Sequence, residues 1–219
     1  MTPEKYDNTP QGLFRKYSNF ITEMIQSEGL LFRPYSRTTL PYFSLLSEAD
    51  QRAVLINLKN YAETCLAVNA QGHSLKETRY MVQECLRFNG FQMRPSDLEL
   101  IEDDHVVEIY GGSEHQQLFR SFGFFLHSSY TLEDLYCRKW YHLYDRVADD
   151  QILVAEKVHD FLMQKDPAPL KLMLPEQKIV EKDTLERLEC HSSFEYLLPV
   201  FKGAELAGFM TLLKTRIVT

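Results

Sequence analysis

Val106-Val107-Glu108-Ile109-Tyr110-Gly111-Gly112-Ser113, followed at once by Gln116-Gln117-Leu118-Phe119-Arg120, is the part of the chain that sets its fold class. The first five residues are rich in β-branched and aromatic side chains, the two glycines and the serine supply a turn, and the second run returns as an antiparallel partner. A hairpin therefore opens the second half of a chain whose first half repeats at helical period.

Beyond the hairpin the signals turn helical and then extended. Ser129-Tyr130-Thr131-Leu132-Glu133-Asp134-Leu135 sets hydroxyl caps ahead of acidic first-turn residues, and residues 150–163 form a longer helix that Pro167 and Pro169 close. Residues 170–174 read as a short strand. In the next strand Phe194, Tyr196, Leu198 and Val200 alternate with Glu195, Leu197, Pro199 and Phe201. Lys202-Gly203 turns the chain into a last strand over residues 206–217, where Phe209, Thr211 and Leu213 face opposite to Met210 and Leu212. Two strands, helices, then three strands predict an α+β fold in which helices inserted mid-sheet cover one face.

Upstream of the hairpin, Leu13, Phe14, Tyr17, Phe20, Ile21, Met24 and Ile25 recur at steps of three and four, which predicts a helix over residues 11–28 ended by Gly29 and Pro34. Ser47, with Asp50 three residues on, caps a second helix that buries Val54, Leu55, Leu58, Tyr61, Ala62, Cys65 and Leu66 and stops at Gly72. Ser74-Leu75-Lys76-Glu77 has the spacing of a capping box, so a third helix is expected from Ser74 to about Asn89-Gly90. Pro95 disfavours helix in the residue before it and marks a junction at residues 91–97, dividing the chain into a helical domain, 1–95, and an α/β domain, 96–219. The first part carries 11 Lys+Arg against 9 Asp+Glu and the second 13 against 22, so the two differ in charge as well as pattern.

Several function classes have no support in these residues. The net charge of −7 suits a nucleic-acid surface poorly. The turn Ala70-Gln71-Gly72-His73 between two helices has the form of a DNA-binding motif, but Lys76, Arg79 and Arg87 beside Glu77 and Glu84 give a thin recognition helix. No apolar run reaches the roughly 18 residues of a membrane span, and residues 1–6 hold no signal-peptide core, so the cytoplasm is expected. Cys65, Cys85, Cys137 and Cys190 lie apart, and the histidines have no metal spacing. No phosphate loop, nucleophile elbow or zinc helix motif occurs, and the acidic runs Glu102-Asp103-Asp104 and Asp149-Asp150 read as solvated turns or helix starts. We expect no enzyme and no metal centre.

Phe124-Phe125-Leu126-His127-Ser128-Ser129-Tyr130-Thr131-Leu132-Glu133-Asp134-Leu135 resembles the segment of PAS domains in which an apolar helix leads to "G-Y-S-x-E-E-L", with Ser129 where glycine is usual. Gly203-Ala204-Glu205-Leu206-Ala207-Gly208-Phe209 is similar to the family's final hairpin. The resemblance implies a five-stranded antiparallel sheet whose concave face, with the inserted helices, encloses a small molecule, a haem, a flavin or its own side chains. By analogy with the family's pocket walls, Tyr130, Trp140, Tyr196 and Thr211 are the expected ligand-binding residues. Trp140 falls where flavin-type members carry a reactive cysteine, and Cys137 lies three residues early, so no flavin adduct is expected. Haem-binding members use a histidine on the long helix, where this chain has His159; His127 is a second candidate. The aromatic residues crowded between 119 and 144 would equally fill a small cavity.

Two readings follow from the resemblance. In one, a cytoplasmic regulatory protein senses a small ligand, or a haem, and relays it through its N-terminal helices; in the other, a ligandless scaffold binds a protein partner. Because no catalytic domain follows the last predicted strand, output is expected to pass through the helical half, as a dimer or on a partner.

Overall fold

The computed structural model describes residues 7–30, 39–111, 116–146 and 148–218, and the side chains of residues 148–151 are not among those described. Pro34, the turn residues Gly112 and Ser113, His115 and the side chains of Asp149 and Asp150 thus lie outside the description. Helix α1 (Pro10–Ser27) begins where the Thr9 hydroxyl accepts the Gly12 amide (3.1 Å), and Pro10 occupies its first turn. Phe14, Ile21 and Ile25 form its buried stripe, and Gly29, at φ +76°, ends it in a conformation that favours glycine. After the short α2 (Pro41–Leu45), α3 (Glu48–Ala70) starts at the expected cap, with the Ser47 hydroxyl accepting the Asp50 amide. Val54, Leu58, Tyr61, Ala62, Cys65 and Val68 are buried along it, but Leu66, expected inside, is 48% exposed.

The third helix, α4 (Thr78–Asn89), opens three residues later than the capping box suggests, with Glu77 instead of Ser74 at its N-cap. The Glu77 carboxylate does accept the Ser74 amide (2.8 Å), but the Ser74 hydroxyl turns to Glu28 at the end of α1 (3.0 Å), so the serine half of the box is spent on tertiary structure. Gly90, at φ +68°, closes α4 at the expected place. Next comes the junction, where Gln92 exchanges two backbone hydrogen bonds with Phe201 (2.9 Å each) before the single turn α5 (Pro95–Leu98). Residues buried on both sides of this junction belong to one continuous apolar core.

The remaining elements are β1 (Val106–Gly111), β2 (Gln116–Arg120), a 3-10 turn at Phe122–Leu126, α6 (Leu132–Cys137), a 3-10 turn at Trp140–His142, β3 (Tyr144–Asp145), α7 (Ala148–Leu162), β4 (Leu170–Lys171), β5 (Gln177–Glu181), β6 (Glu189–Lys202) and β7 (Glu205–Ile217). The fold is α+β. The sheet is antiparallel throughout, in the order β2-β1-β7-β6-β5-β3 with β4 also on β6. Five substantial strands are joined by the two-residue β3 and β4. The strand expected at 170–174 shrinks to Leu170–Lys171, which pairs with β6 at Leu197 and Tyr196, and the longer strand beside β6 is Gln177–Glu181, whose apolar pair Ile179-Val180 is too short to stand out between Lys178 and Glu181.

Opposed residues of antiparallel neighbours share a face. Register therefore puts Glu108, Tyr110, Phe209, Thr211 and Leu213 on one face, covered by Val154 and Val158 of α7, and Val107, Ile109, Met210 and Leu212 on the other. Phe119, opposite Ile109, meets Tyr61 of α3 edge-on at 5.2 Å between ring centroids. The sheet thus lies between the inserted helix α7 on its inner face and the N-terminal helices on its outer face. Between Phe194 and Tyr196 a bulge leaves Glu195 extra, so the alternation flips and Tyr196 leaves the face that Phe194 occupies. Strands β1 and β7 approach closely at Gly208, where a Cβ would lie 2.1 Å from the Tyr110 carbonyl oxygen. No helix among the described residues is long and apolar enough to cross a membrane.

Candidate functional site on the inner sheet face

The hairpin that sets the fold class also places charge inside it. Glu108 and Arg120 are opposed in the β1–β2 ladder, and a bulge at Leu118 brings Gln117 opposite Tyr110. Arg120, 1% exposed, ion-pairs with Glu108 through Nη1, donates from Nε to Gln117 Oε1 (2.8 Å) and from Nη2 to Tyr110 Oη (3.1 Å), and lies 4.2 Å above the Phe124 ring. The Tyr110 phenol donates to the second Glu108 oxygen (2.8 Å). Burial opposes the Arg120 charge, yet Glu108 and the surrounding phenols outweigh it and hold the guanidinium above its ordinary value. Burial likewise pushes the Tyr110 phenol well up, against the pull of Arg120. Buried charges survive where they are paired and hydrogen-bonded, and this pair is both.

A second arginine enters from the other side. Arg146 follows β3, partly buried, and donates to Gln177 Oε1 (3.3 Å). Its guanidinium carbon stands 5.4 Å from the Phe194 ring centre, 5.8 Å from Tyr144 and 5.9 Å from Trp140. Burial lowers its pKa, and Glu108 counters this only in part. Two small cavities flank it. One, with about 20 Å³ of open space, is lined by Glu108, Tyr110, Trp140, Phe194, Phe209 and Thr211 among others, and the second, about 30 Å³, by Glu108, His127, Tyr144, Ser192 and Thr215 among others. Either volume holds about one water molecule.

Of the expected ligand residues, Trp140 and Thr211 meet at the first cavity. Thr211 is 3% exposed and its hydroxyl has no hydrogen-bond partner among the described residues. Tyr130 lies elsewhere, its phenol donating to the Lys182 carbonyl (3.1 Å) and accepting the Lys182 amide (2.8 Å) in a clasp on the end of β5. Tyr196 faces the opposite side of the sheet because of the Glu195 bulge, with Lys171 over its ring. His159 is on the exposed side of α7, along an open groove toward Leu206 and Ala207, while Val154, Val158 and Phe161 are the buried side of that helix. His127 does reach the second cavity, and burial lowers its pKa.

Glu108, Gln117, Arg120, Arg146 and Gln177 escaped the sequence reading. The one available signal was Glu108 between Val107 and Ile109 in a strand apolar on both sides, opposite an arginine in the returning strand.

No protein-family model matches the chain. A search of curated proteins finds no similar sequence either. The remaining polar clusters are engaged structurally. Glu181, fully buried, accepts from both hydroxyls and one amide of Ser128-Ser129, from Thr184 Oγ1 and from the Leu188 amide. Glu133 accepts the Tyr42 and Phe43 amides (2.9 and 3.0 Å) at the start of α2. Glu102, Asp104 and His105 converge within 4.8 Å, but Lys214 Nζ sits 3.0 Å from each carboxylate, and the His105 nitrogens meet the Glu102 amide and Glu195. On α4, Arg79 donates to the Ile101 carbonyl (2.8 Å), and Arg87 pairs with Glu84 (2.6 Å). Burial pushes the Cys65, Cys85 and Cys137 thiols up, and among the described residues no imidazole is hydrogen-bonded to a serine or cysteine side chain.

Proposed function

We propose that this chain is a PAS-like regulatory module of the cytoplasm, not a catalyst, in which the inner sheet face receives a signal and the N-terminal helices pass it to a protein partner or a second copy. One observation carries the reading: strand β2 belongs to both sides. Its side chains Gln117 and Arg120 build the buried network, while its carbonyls accept from α3, Gln117 O from Asn57 Nδ2 (3.1 Å) and Arg120 O from Tyr61 Oη (2.6 Å). A shift of Arg120 therefore moves an acceptor on which a buried tyrosine of α3 depends, and coupling of that kind needs two such linked arrangements. Further support comes from the strand order and from helices inserted between the hairpin and the later strands, as the resemblance implies. A ligandless scaffold is the second reading, favoured by cavities of only about 20 and 30 Å³.

The test is amide hydrogen exchange on Glu108→Gln, which removes the inner carboxylate charge without touching α3. Exchange should accelerate at least about tenfold at Asn57–Tyr61 of α3 and stay unchanged in the β6–β7 hairpin. Acceleration confined to β1 and β2 would overturn the relay and leave the scaffold reading.

A further inference from the structure

Leu66, which spacing places inside, belongs to a row on the outer side of α3. Ile56, Lys59, Glu63 and Leu66 follow at steps of three, four and three, which keeps them on one face of the helix. Ile56 and Leu66 are 58% and 48% exposed. Beside them runs a groove of about 410 Å³ whose other wall is Lys16, Tyr17, Phe20 and Glu23 of α1. The two helices run the same way. Phe14 near the start of α1 meets Phe43 ahead of α3, and Glu28 past the end of α1 accepts from the Ser74 hydroxyl and the Leu75 amide past the end of α3. Lys16 and Lys59 therefore mark a basic end of the groove and Glu23 and Glu63 an acidic end.

This pattern is its own complement when reversed. Ile56 and Lys59 stand five and two residues before Tyr61, and Leu66 and Glu63 stand five and two after it. On α1, Lys16 and Glu23 are equally spaced about Asn19-Phe20. A two-fold axis across the helices sets Lys59 over Glu63 of a second copy, Lys16 over its Glu23 and Ile56 over its Leu66, and each pair recurs in exchange, as a two-fold interface requires. A partner of uniform charge would meet like charge at one end of the groove.

We propose that the α1–α3 groove is a self-association surface, on which a second copy of the chain packs antiparallel about the axis at Tyr61. The proposal rests on reading the N-terminal helices as the output side, and it names their partner. Tyr17, Phe20, Ile56 and Leu66 supply the apolar contact, and the charged ends set its direction.

Sedimentation velocity of the intact protein, up to about 100 µM, reads the dimer dissociation constant. Lys59→Glu should weaken dimerisation at least about tenfold, because two attractive pairs in each dimer become repulsive, and Glu63→Lys should do the same. An equimolar mixture of the two variants restores both attractive pairs and should dimerise within about threefold of wild type. A wild-type chain that stays monomeric, a dimer indifferent to both reversals, or a mixture no tighter than either variant alone overturns the surface. Leu66→Asp, at a half-exposed position, keeps the test available if a reversal fails to fold, and it too should weaken the dimer at least about tenfold. Dimerisation through this groove without accelerated exchange in Glu108→Gln would sink the relay and keep the surface; accelerated exchange in a chain that stays monomeric would do the reverse.

Discussion

Arg120 shows how much one residue can hold. It is 1% exposed and joins Glu108, Gln117, Tyr110 and the Phe124 face, so removing its charge leaves a buried carboxylate with a phenol as its main remaining partner. Arg120→Met should cost about 3–5 kcal/mol in urea denaturation, the range for breaking a buried pair. Removing Arg52 from its exposed pair with Glu48 should cost less than about 0.5 kcal/mol; equal losses would mean that the buried pair contributes no more than an exposed one. Little of this was legible in the sequence. An arginine at a strand end reads as a solvated charge, and only a partner 12 residues upstream, brought opposite by hairpin register, makes it internal. Arg146 is harder still, because Gln177 and Phe194, from β5 and β6, join Trp140 and Tyr144 of its own stretch only once the sheet has formed.

Among the elements, β1 and β7 depend on Gly208. A methyl group there would meet the Tyr110 carbonyl at 2.1 Å, so Gly208→Ala must push the strands apart next to the phenol that bonds Glu108. We expect a loss of roughly 1–3 kcal/mol, together with a changed environment at Trp140 seen by fluorescence. An unaltered spectrum and stability would show that the ladder yields without cost. Strand β2 lies at the edge of the sheet, yet its carbonyls from Gln117 to Arg120 accept from Asn57, Tyr136, Gln117 and Tyr61 side chains, which blocks pairing with another chain. Period and caps exposed the elements well: α1, α3 and the β6–β7 hairpin stand within a residue or two of where spacing puts them, apart from an extension of β6 toward Glu189. What spacing cannot show is a tertiary rival for a cap, as Glu28 is for Ser74, or an extra residue in a strand, as Glu195 is in β6. The second has the larger consequence, since it moves Tyr196 across the sheet from Thr211.

For the molecule as a whole, burial raises the pKa of several acids that are neutral at pH 7, and Cys190 is pushed from 9.0 up to about 11. A raised acid pKa means that the folded chain holds its proton more tightly than the unfolded chain. Stability is therefore fully present below about pH 9 and is lost as pH climbs from 9 through 11. Denaturation midpoints measured from pH 7 to pH 11 should be level at first and then fall, and a rise above pH 9 would contradict the burial assigned to these groups. At this scale the two halves of the sequence share one core, and what links them chemically is a strand whose side chains and carbonyls serve opposite faces.

A double-mutant cycle between Glu108→Gln and Tyr61→Phe addresses that link most directly. Glu108 bonds the Arg120 side chain and Tyr61 the Arg120 carbonyl, from opposite faces of the sheet. If β2 couples the faces, the two losses of stability are non-additive by about 1 kcal/mol; if they add within about 0.3 kcal/mol, the inner network and the N-terminal helices are independent and the relay is wrong.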